Sequence, residues 1–426
     1  MIKDKTSSLL RQNPRLVVFD VEGVLIPKRR YLLFEVSRLL NLSGFLKILW
    51  AGFLYESGLT TLETALQIIY RQLKGFALTD LFKLYKKMPP MPRVNQVFRQ
   101  LKKAGCKTAL ISSGLPQLFV EDLATALGCE YAFGLDLEVV DGRLTGQIGG
   151  DAVKTNGKAI ILKGILEKET MTPQDCAIVA DDRNNLQMFR LSATRIGYNP
   201  EFPLDYKSDV VVKGDLRQLL PLLTGSPTEK RSVSRRELIR ETIHIAGFFV
   251  PVFTMLFSLN HFFVISLIFT VTGFYIASEL ARMLGVNFPV MSTITWKAAI
   301  QPEIYEFVTA PIFFAAGIML TLILFPPPIS YASIAILTLG DSFATLLGKK
   351  MGRHSLPYNR SKKVEGTLFG FLFASLGASV FISPVTSLSK LLVGVASGII
   401  MESLPTPVND NLTIPLAAGL TLFLLP

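Results

Sequence analysis

The chain has 426 residues, of which 50% are hydrophobic and 18% are charged, and its formal net charge is +11. Soluble globular domains carry about 25% charged residues, so this low charge content and the mean hydropathy of +0.41 indicate a membrane protein. They exclude a disordered chain and a charged nucleic-acid-binding tail. The three cysteines form no Cys-x-x-Cys pair and no even set, which argues against a disulfide framework or a zinc site.

Charged residues are distributed unequally along the chain. They are frequent in residues 1–224, whereas apolar stretches dominate the second half. The segment between the halves is small, polar and basic, which predicts an exposed linker at 225–238 and domains at 1–224 and 239–426. Residues 1–14 contain no apolar run, so we expect no signal peptide there. We expect no nucleic-acid partner, because positive charge collects in the loops of the apolar half.

The first half alternates predicted strands and helices. Short, β-branched apolar runs predict buried strands at 15–20, 107–111 and 175–180. The residues between the first two runs show mainly helical spacing. Such alternation favours a doubly wound parallel sheet that binds ligands at the carboxyl ends of its strands. The fold class predicted for this half is therefore α/β, with a Rossmann-like parallel sheet.

Polar side chains follow each of these strands. Asp20 and Glu22 come directly after the first strand, and two carboxylates at this spacing can serve as nucleophile and as acid/base. Ser112 follows the second strand and can donate to a phosphoryl oxygen, and Lys158 before a helix can neutralise phosphoryl charge. The pair Asp181–Asp182 ends the third strand and can complete an oxygen-rich Mg²⁺ site. A single acid after a strand is usually a helix cap, but the ordered set favours a catalytic site.

These residues resemble the motifs of the haloacid dehalogenase (HAD) superfamily, specifically its phosphoserine-phosphatase-like branch. The resemblance covers roughly residues 13–224 and implies a helical cap at about 27–104, inserted after the first motif. The matching segments are, in chain order, Phe19–Leu25, Leu110–Gly114, Gly157–Lys158, Ile178–Met188 and Gly214–Leu220.

The resemblance implies a role for each polar residue at the strand ends. Asp20 would be the nucleophile and a Mg²⁺ ligand. Glu22 would be the acid/base and would also offer its backbone carbonyl to Mg²⁺. Ser112 and Lys158 would bind the phosphoryl group of a small phosphomonoester substrate, and Asp181–Asp182 would bind Mg²⁺.

Two departures from the family pattern leave a second interpretation open. Glu22 stands where the family usually has Asp, and Ala180, Asp182 and Asn185 replace the usual residues of the last motif. The pair Asp181–Asp182 could restore the number of acids. A catalytically inactive domain that binds or regulates is therefore the alternative to an active phosphatase.

Seven apolar segments in the second half predict an all-α, polytopic membrane domain of about seven transmembrane helices. Several are shorter than the ~20 residues that span a bilayer core, but seven in a row exceed what buried core helices would account for. Lys and Arg lie only in alternate loops, which places these loops and the first half in the cytoplasm by the positive-inside rule. The segments are 243–259, 261–280, 307–325, 329–348, 366–383, 388–404 and 411–425.

Acids within or beside these apolar segments are costly and usually functional. Four of them, Asp341, Glu365, Glu402 and Asp410, lie near one membrane face in this topology. Basic residues, among them Lys362 and Lys363, fill the loop between the first two acids. Carboxylates that hold Mg²⁺ and cations that screen phosphates suit a magnesium nucleotide, although a basic loop is most often only a topology determinant.

The same residues resemble the motifs of the CTP-dependent polyprenol kinase family, which includes dolichol kinase, phytol kinase and the yeast-type diacylglycerol kinase. The resemblance covers roughly residues 237–426. The opening motif is a weak match, because Glu241 stands where Lys is usual. The matching segments are Arg240–His244, Gly340–Arg353, Ser361–Thr367 and Glu402–Pro415.

This second resemblance implies transfer of the γ-phosphoryl group of CTP to the hydroxyl of an isoprenoid or similar membrane lipid alcohol. Asp341 would ligate Mg²⁺ or orient the hydroxyl, and Lys362 and Lys363 would contact phosphates. The other polar residues of this site would be Glu365, Glu402, Asp410 and Asn411. CTP follows from the resemblance alone. A cytidylyltransferase that makes a CDP-lipid, and a transporter of anionic lipid intermediates, are open alternatives.

Overall fold

The computed structural model describes residues 14–28, 40, 42–56, 59–225, 233–283, 286, 288–299, 307–382 and 384–425. The chain divides into two compact units, Met1–Glu229 and Lys230–Pro426. We describe each unit by itself.

A seven-stranded sheet forms the centre of the first unit. Its order is β4-β3-β2-β1-β5-β6-β7, and all neighbours pair in parallel except β3 and β4. Strands β1 and β5 are buried along their whole length, as expected of parallel strands that are covered on both faces. The α/β prediction for this half is thereby confirmed. The strands are β1 Leu16–Asp20, β2 Lys107–Pro116, β3 Tyr131–Val140, β4 Arg143–Gly149, β5 Cys176–Ala180, β6 Thr194–Tyr198 and β7 Val210–Val212.

Helices cover this sheet and form the insertion between β1 and β2. Among the described residues, six of these helices have ten or more residues: α1 Leu42–Glu56, α2 Leu62–Arg71, α3 Leu78–Lys87, α4 Val94–Lys103, α5 Gln117–Leu127 and α6 Gly157–Lys168. Three are short: α7 Leu186–Phe189, α8 Leu204–Lys207 and α9 Leu220–Thr224.

The expected cap at 27–104 includes α4, which has a different packing partner from the helices before it. The chain returns to the end of β1 at Met91, whose N–H donates a hydrogen bond of 2.8 Å to the Leu25 carbonyl. Helix α4 then packs on the sheet, where the rings of Phe98 and Phe19 lie 4.8 Å apart. In the sequence, α4 and the helices before it show the same helical period, and the bounds of the cap stay a prediction. Their different packing partners separate them only in the folded chain.

The second unit is helical. Its first helix begins at Arg235, inside the segment 225–238 that we expected to be a linker. Ser234 caps this helix and exchanges hydrogen bonds with Glu237 in a capping box. The helices are α10 Arg235–Ala246, α11 Phe249–Leu256, α12 His261–Met283, α13 Met291–Ala298, α14 Ala310–Leu324, α15 Ile329–Ala335, α16 Ser342–Met351, α17 Val364–Ala378, α18 Pro384–Ser403 and α19 Asp410–Leu424.

Three helical stretches among the described residues are long and apolar enough to cross a membrane: Arg235–Leu256, His261–Met283 and Ile329–Met351. Helix α12 exposes the rings of Phe262, Phe269 and Phe274, which is typical of a surface that faces lipid. Helices α14, α17 and α19 have 15 residues each, or about 22 Å at 1.5 Å per residue. The expected count of seven transmembrane helices therefore stays a prediction.

Candidate active sites

The nucleophile expected from the sequence lies at the carboxyl end of the central strand. Asp20 is the last residue of β1 and is in parallel register with Ile111 of β2. Its carboxylate is buried, and its Oδ1 accepts a hydrogen bond of 2.8 Å from the N–H of Val21. Because β2 and β5 flank β1, the residues that follow all three strands come to this edge of the sheet.

Glu22 and Ser112, from separate sequence motifs, contact each other in this site. The Ser112 hydroxyl donates a hydrogen bond of 3.1 Å to Glu22 Oε2, and both side chains are buried. Ser112 Oγ also accepts hydrogen bonds from the N–H groups of Gly114 and Leu115, at 3.2 and 3.0 Å. The part of β2 after Ile111, where its register with β3 shifts, therefore holds the serine hydroxyl against the carboxylate.

Lys158 and Asn185 hold the Asp20 carboxylate from two sides. Lys158 follows Gly157 at the start of α6 and is buried, with its Nζ 2.8 Å from Asp20 Oδ1 and 3.0 Å from Asn185 Oδ1. The Asn185 amide donates to Asp20 Oδ2. From the sequence, Asn185 was recognised only as a departure from the family pattern. Its position three residues after Asp182 was the signal that could have predicted its place in the site.

Three acids form a group that could hold a metal ion. Oxygen atoms of Asp20, Asp181 and Asp182 all lie within 4.8 Å of one another, and no other group of three such ligands occurs among the described residues. Gly23 has a φ of +79°, and a Cβ at this position would collide with the Asp181 carboxylate. A close set of carboxylate oxygens is what Mg²⁺ prefers in proteins, so the residues present fit this ion.

The electrostatics of the same group also fit a divalent cation. Burial raises the pKa of Asp20, and Asp182 adds to the rise, whereas Lys158 opposes it. Burial raises the pKa of Asp181 well above its ordinary value, against the opposing effect of Lys28, whose Nζ lies 3.2 Å from Asp181 Oδ2. Buried acids that repel one another in this way are stabilised by a cation in their midst.

The second set of predicted polar residues begins at Asp341 in the helical unit. Asp341 ends a π-helical segment, Ile336–Asp341, that joins α15 to α16. Such wide turns within helices occur frequently at functional sites. His244 of α10 stacks on Phe314 with ring centroids 4.4 Å apart, and its Nδ1 lies 3.8 Å from Asp341 Oδ2. Buried Glu241, one turn earlier, lies within electrostatic range of Asp341.

Sequence reasoning missed Glu241 and His244 as members of this site. Both residues belong to the opening motif Arg240–His244, which is only a weak match to the family pattern. That motif was the available signal for their role. On one helix, residues three apart lie on the same face, and α10 therefore directs Glu241 and His244 together toward Asp341.

Lys362 brings three of the predicted acids into one cluster. Its Nζ lies 2.5 Å from Glu402 Oε1 and 3.8 Å from Asp410 Oδ2, and it is within electrostatic range of Asp341. Burial by itself would lower the pKa of Lys362, but the charges of Glu402, Asp341 and Asp410 outweigh it and raise the pKa. The three surrounding acids therefore favour the charged form of this ammonium group.

Two predicted residues have other contacts. Glu365 accepts hydrogen bonds from His354, at 3.2 Å from its backbone N–H and at 2.7 Å from its ring Nδ1. Lys363 Nζ donates to Ser355 Oγ at 2.6 Å.

Asn411 is buried in the first turn of α19, and its Oδ1 has no hydrogen-bond partner in the part of the chain that is described. A buried acceptor of this kind is available to a ligand that carries a donor.

Comparison with known proteins separates the two units. Residues 17–190 match the family profile of the haloacid dehalogenase-like hydrolases. The first unit is HAD-like. It is similar to a phosphoserine phosphatase of Archaeoglobus fulgidus, 30% identical over 45% of this chain and 54% of that protein. It is also similar to one of Methanocaldococcus jannaschii, 27% identical over 50% of this chain and 98% of that protein.

The second unit resembles a different group of enzymes. A probable phytol kinase of Glycine max is 34% identical over 129 residues, which are 26% of this chain and 40% of that protein. The chain thus spans only about half the length of the Archaeoglobus relative and less of the plant relative. Both resemblances inferred from sequence motifs are confirmed, and the relatives support a hydrolase domain and a phosphotransferase domain.

Proposed function

We propose that the HAD-like unit is a Mg²⁺-dependent phosphomonoesterase with Asp20 as its nucleophile. The observation that carries this proposal is the setting of the Asp20 carboxylate, which Lys158 and Asn185 hold at the edge of the sheet beside Asp181. The similarity to two phosphoserine phosphatases supports it.

Each of these side chains has a step in the proposed reaction. An oxygen of Asp20 attacks phosphorus, and the bond from phosphorus to the leaving oxygen breaks while Glu22 gives that oxygen a proton. Water then attacks the aspartyl phosphate, Glu22 takes a proton from it, and inorganic phosphate leaves with Asp20 restored. Ser112 and Lys158 bind the phosphoryl oxygens. Mg²⁺ on Asp20, Asp181, Asp182 and the Glu22 carbonyl would offset phosphoryl charge.

The test is hydrolysis of phosphomonoesters by the purified full chain. We expect Asp20→Asn to reduce kcat by about 10³-fold or more, because the nucleophile is lost. Asp151→Asn, at an exposed acid of the same unit, is the matched control and should retain wild-type turnover. A wild-type chain that hydrolyses no phosphomonoester would instead favour the regulatory interpretation.

We propose that the second unit is a lipid-alcohol kinase that uses CTP. The position of Lys362 is the main support for this proposal. Lys362 contacts Glu402 and Asp410 at one end of the helical unit and lies within electrostatic range of Asp341. The hydroxyl oxygen of the lipid attacks the γ-phosphorus, the bond to the β-phosphate oxygen breaks, and CDP leaves. Asp341 orients the hydroxyl and accepts its proton, and Lys362 neutralises phosphate charge.

Labelled nucleotides test this proposal against its alternatives. The full chain in lipid nanodiscs receives CTP labelled at the α- or the γ-phosphate, or ATP labelled at the γ-phosphate, with a panel of isoprenoid alcohols. A kinase transfers only the γ label, and we expect CTP to exceed ATP. Transfer of the α label would establish a cytidylyltransferase, and no transfer from any nucleotide would favour a transporter.

We propose a multi-pass topology with both sites on the cytoplasmic side. Helix α16 ends, α17 begins, α18 ends and α19 begins near Lys362, so the polar cluster lies at one end of these antiparallel helices. The basic loop between α16 and α17 is at this end, in line with the positive-inside rule. Labelling of Lys350→Cys in membrane vesicles of known orientation tests the sidedness.

A further inference from the structure

Helix α1 of the HAD-like unit has two apolar faces. Its sequence, LSGFLKILWAGFLYE, carries Lys47 and Glu56 as its only charges. Ile48 and Ala51 are fully buried on one face, where the helix packs against α2. On the other face Leu46, Trp50 and Phe53 are 54%, 60% and 57% exposed. These three follow the i, i+4, i+7 spacing of a single helical stripe.

The exposed stripe is attached to the catalytic loop. Tyr55, at the end of α1, donates a hydrogen bond from its hydroxyl to Asn184 Oδ1, and its carbonyl accepts one from Arg183. The Arg183 guanidinium lies 4.5 Å from the centroid of the Tyr55 ring. Asn184 and Arg183 belong to the loop between Asp182 and Asn185, which reaches Asp20. Whatever covers the stripe is therefore held next to the phosphoryl site.

The composition of the stripe favours a lipid layer as its occupant. The rings of Trp50 and Phe53 stack with centroids 5.5 Å apart, and Lys47 lies beside Leu46 and Trp50 on the surface. Aromatic and aliphatic side chains edged by lysine are characteristic of helices that lie in the interface of an anionic bilayer. The same chain carries helices that are long and apolar enough to cross a membrane. Insertion of those helices would tether the HAD-like unit to a bilayer.

We propose that α1 inserts this face into the bilayer and that the HAD-like unit acts on phosphomonoesters of membrane lipids. A lipid phosphate presents its phosphoryl group at the bilayer surface, where an enzyme held by α1 meets it. Hydrolysis releases inorganic phosphate and leaves the lipid alcohol in the membrane, with water as the second reactant. The substrate class rests on the phosphomonoesterase function proposed above, whereas the insertion of α1 does not.

Tryptophan fluorescence tests the insertion without any activity. The chain has two tryptophans, so Trp296→Phe leaves Trp50 as the single reporter, and Trp50→Phe leaves Trp296 as the matched control. With the full chain in nanodiscs, we expect lipids brominated in their acyl chains to quench Trp50 emission. Trp50 emission that brominated lipids leave unchanged, and that aqueous acrylamide quenches freely, overturns the proposal and points to a soluble or protein partner.

Kinetics test the substrate class. The probes are a polyprenyl monophosphate in phosphatidylcholine nanodiscs and water-soluble p-nitrophenyl phosphate. For Trp50→Ser combined with Phe53→Ser, we expect kcat/KM for the lipid phosphate to fall about tenfold or more, because two inserted side chains are lost. Turnover of the soluble ester should be unchanged. Ile160→Ser, at an exposed position of α6, is the matched control and should alter neither rate.

The outcomes separate this inference from the proposed function. Equal losses for both substrates, or hydrolysis of the soluble ester with none of the lipid phosphate, overturn the lipid substrate while the phosphomonoesterase stands. Hydrolysis of neither substrate overturns both. Should the double variant fail to fold, the quenching of Trp50 still tests the insertion of α1. The preference of the wild type for the lipid phosphate over the soluble ester still tests the substrate class.

Discussion

Lys362 and Lys363 are neighbours in the chain but have different partners. Lys362 contacts Glu402 and Asp410, whereas Lys363 donates to Ser355. The backbone of Lys363 is extended, with φ −119° and ψ 140°, and successive side chains of an extended segment point to opposite sides. The sequence predicts two phosphate-binding lysines, and the structure brings one of them to the cluster of acids.

Lys362→Met should disable the second site. The substitution leaves the buried carboxylate of Glu402 without this cation, and breaking a buried ion pair costs about 3–5 kcal/mol. Loss of the charge that faces phosphate should also lower kcat/KM for the nucleotide by about 10²-fold or more. Thermal unfolding and transfer of labelled phosphate measure the two effects. Lys350→Met, at an exposed lysine in the last turn of α16, should change neither, and an equal effect there would contradict the assignment.

The raised pKa of Asp181 predicts a pH dependence of stability in the absence of metal. A carboxyl whose folded-state pKa is raised binds protons more tightly in the folded chain, so its contribution is complete at acid pH and is lost as the pH rises through the folded pKa. In EDTA we therefore expect Asp181→Asn to be more stable than wild type at alkaline pH, with a difference that shrinks toward acid pH. Each unit of pKa shift corresponds to about 1.4 kcal/mol.

Denaturant unfolding of the full chain in detergent, followed at several pH values, measures this difference. Excess Mg²⁺ should reverse the order, because the wild type alone retains all three acids and a bound ion stabilises the folded state. A wild type that is at least as stable as the variant in EDTA at alkaline pH would show that folding does not raise the pKa of Asp181.

At the scale of elements, the crossing of α16 and α17 depends on glycine. The two helices meet at Gly348 and Gly366, and a Cβ on Gly366 would lie 2.6 Å from the Ala344 carbonyl oxygen and 2.9 Å from Gly348 Cα. Small residues at such contacts let helix backbones approach closely. Because the loop between these helices carries Lys362, their separation also positions the second site.

Gly366→Ala should therefore destabilise the helical unit. The added methyl group has to push two backbones apart, and overpacking of this kind costs about 1–3 kcal/mol. We expect a lower midpoint of thermal unfolding in detergent and weaker nucleotide-dependent transfer. Gly273→Ala is the matched control, because a Cβ there has open space around it in α12. A Gly366 variant as stable as that control would refute the close approach.

At the scale of the whole molecule, the chain consists of two compact units with separate apolar cores. One core is built on β1, β2 and β5, and the other on the helices from α12 onward. Each unit also carries its own set of converging carboxylates and lysine. The contacts described above for each set join residues of the same unit.

The two activities should therefore be separable by single substitutions in the full chain. Asp20→Asn should abolish phosphomonoester hydrolysis and leave kinase kinetics within about twofold of wild type, since each site is built from residues of its own unit and changes at independent sites add. Asp341→Asn should do the reverse. Both reactions are assayed on the same nanodisc preparation. Altered kinase kinetics in Asp20→Asn would show that the HAD-like unit regulates the other, which is the alternative interpretation of its departures from the family pattern.

The sequence by itself determined what depends on neighbours in the chain. The β-branched runs predicted β1, β5 and the first half of β2. The acids near their ends marked one edge of a parallel sheet, and the apolar segments indicated helices in the second unit. Tertiary structure alone decided which side chains meet across the chain. Asn185 reaches Asp20, His244 reaches Asp341, and Glu365 turns to His354. Side-chain direction and helix packing settle these pairs, and neither is a property of local sequence.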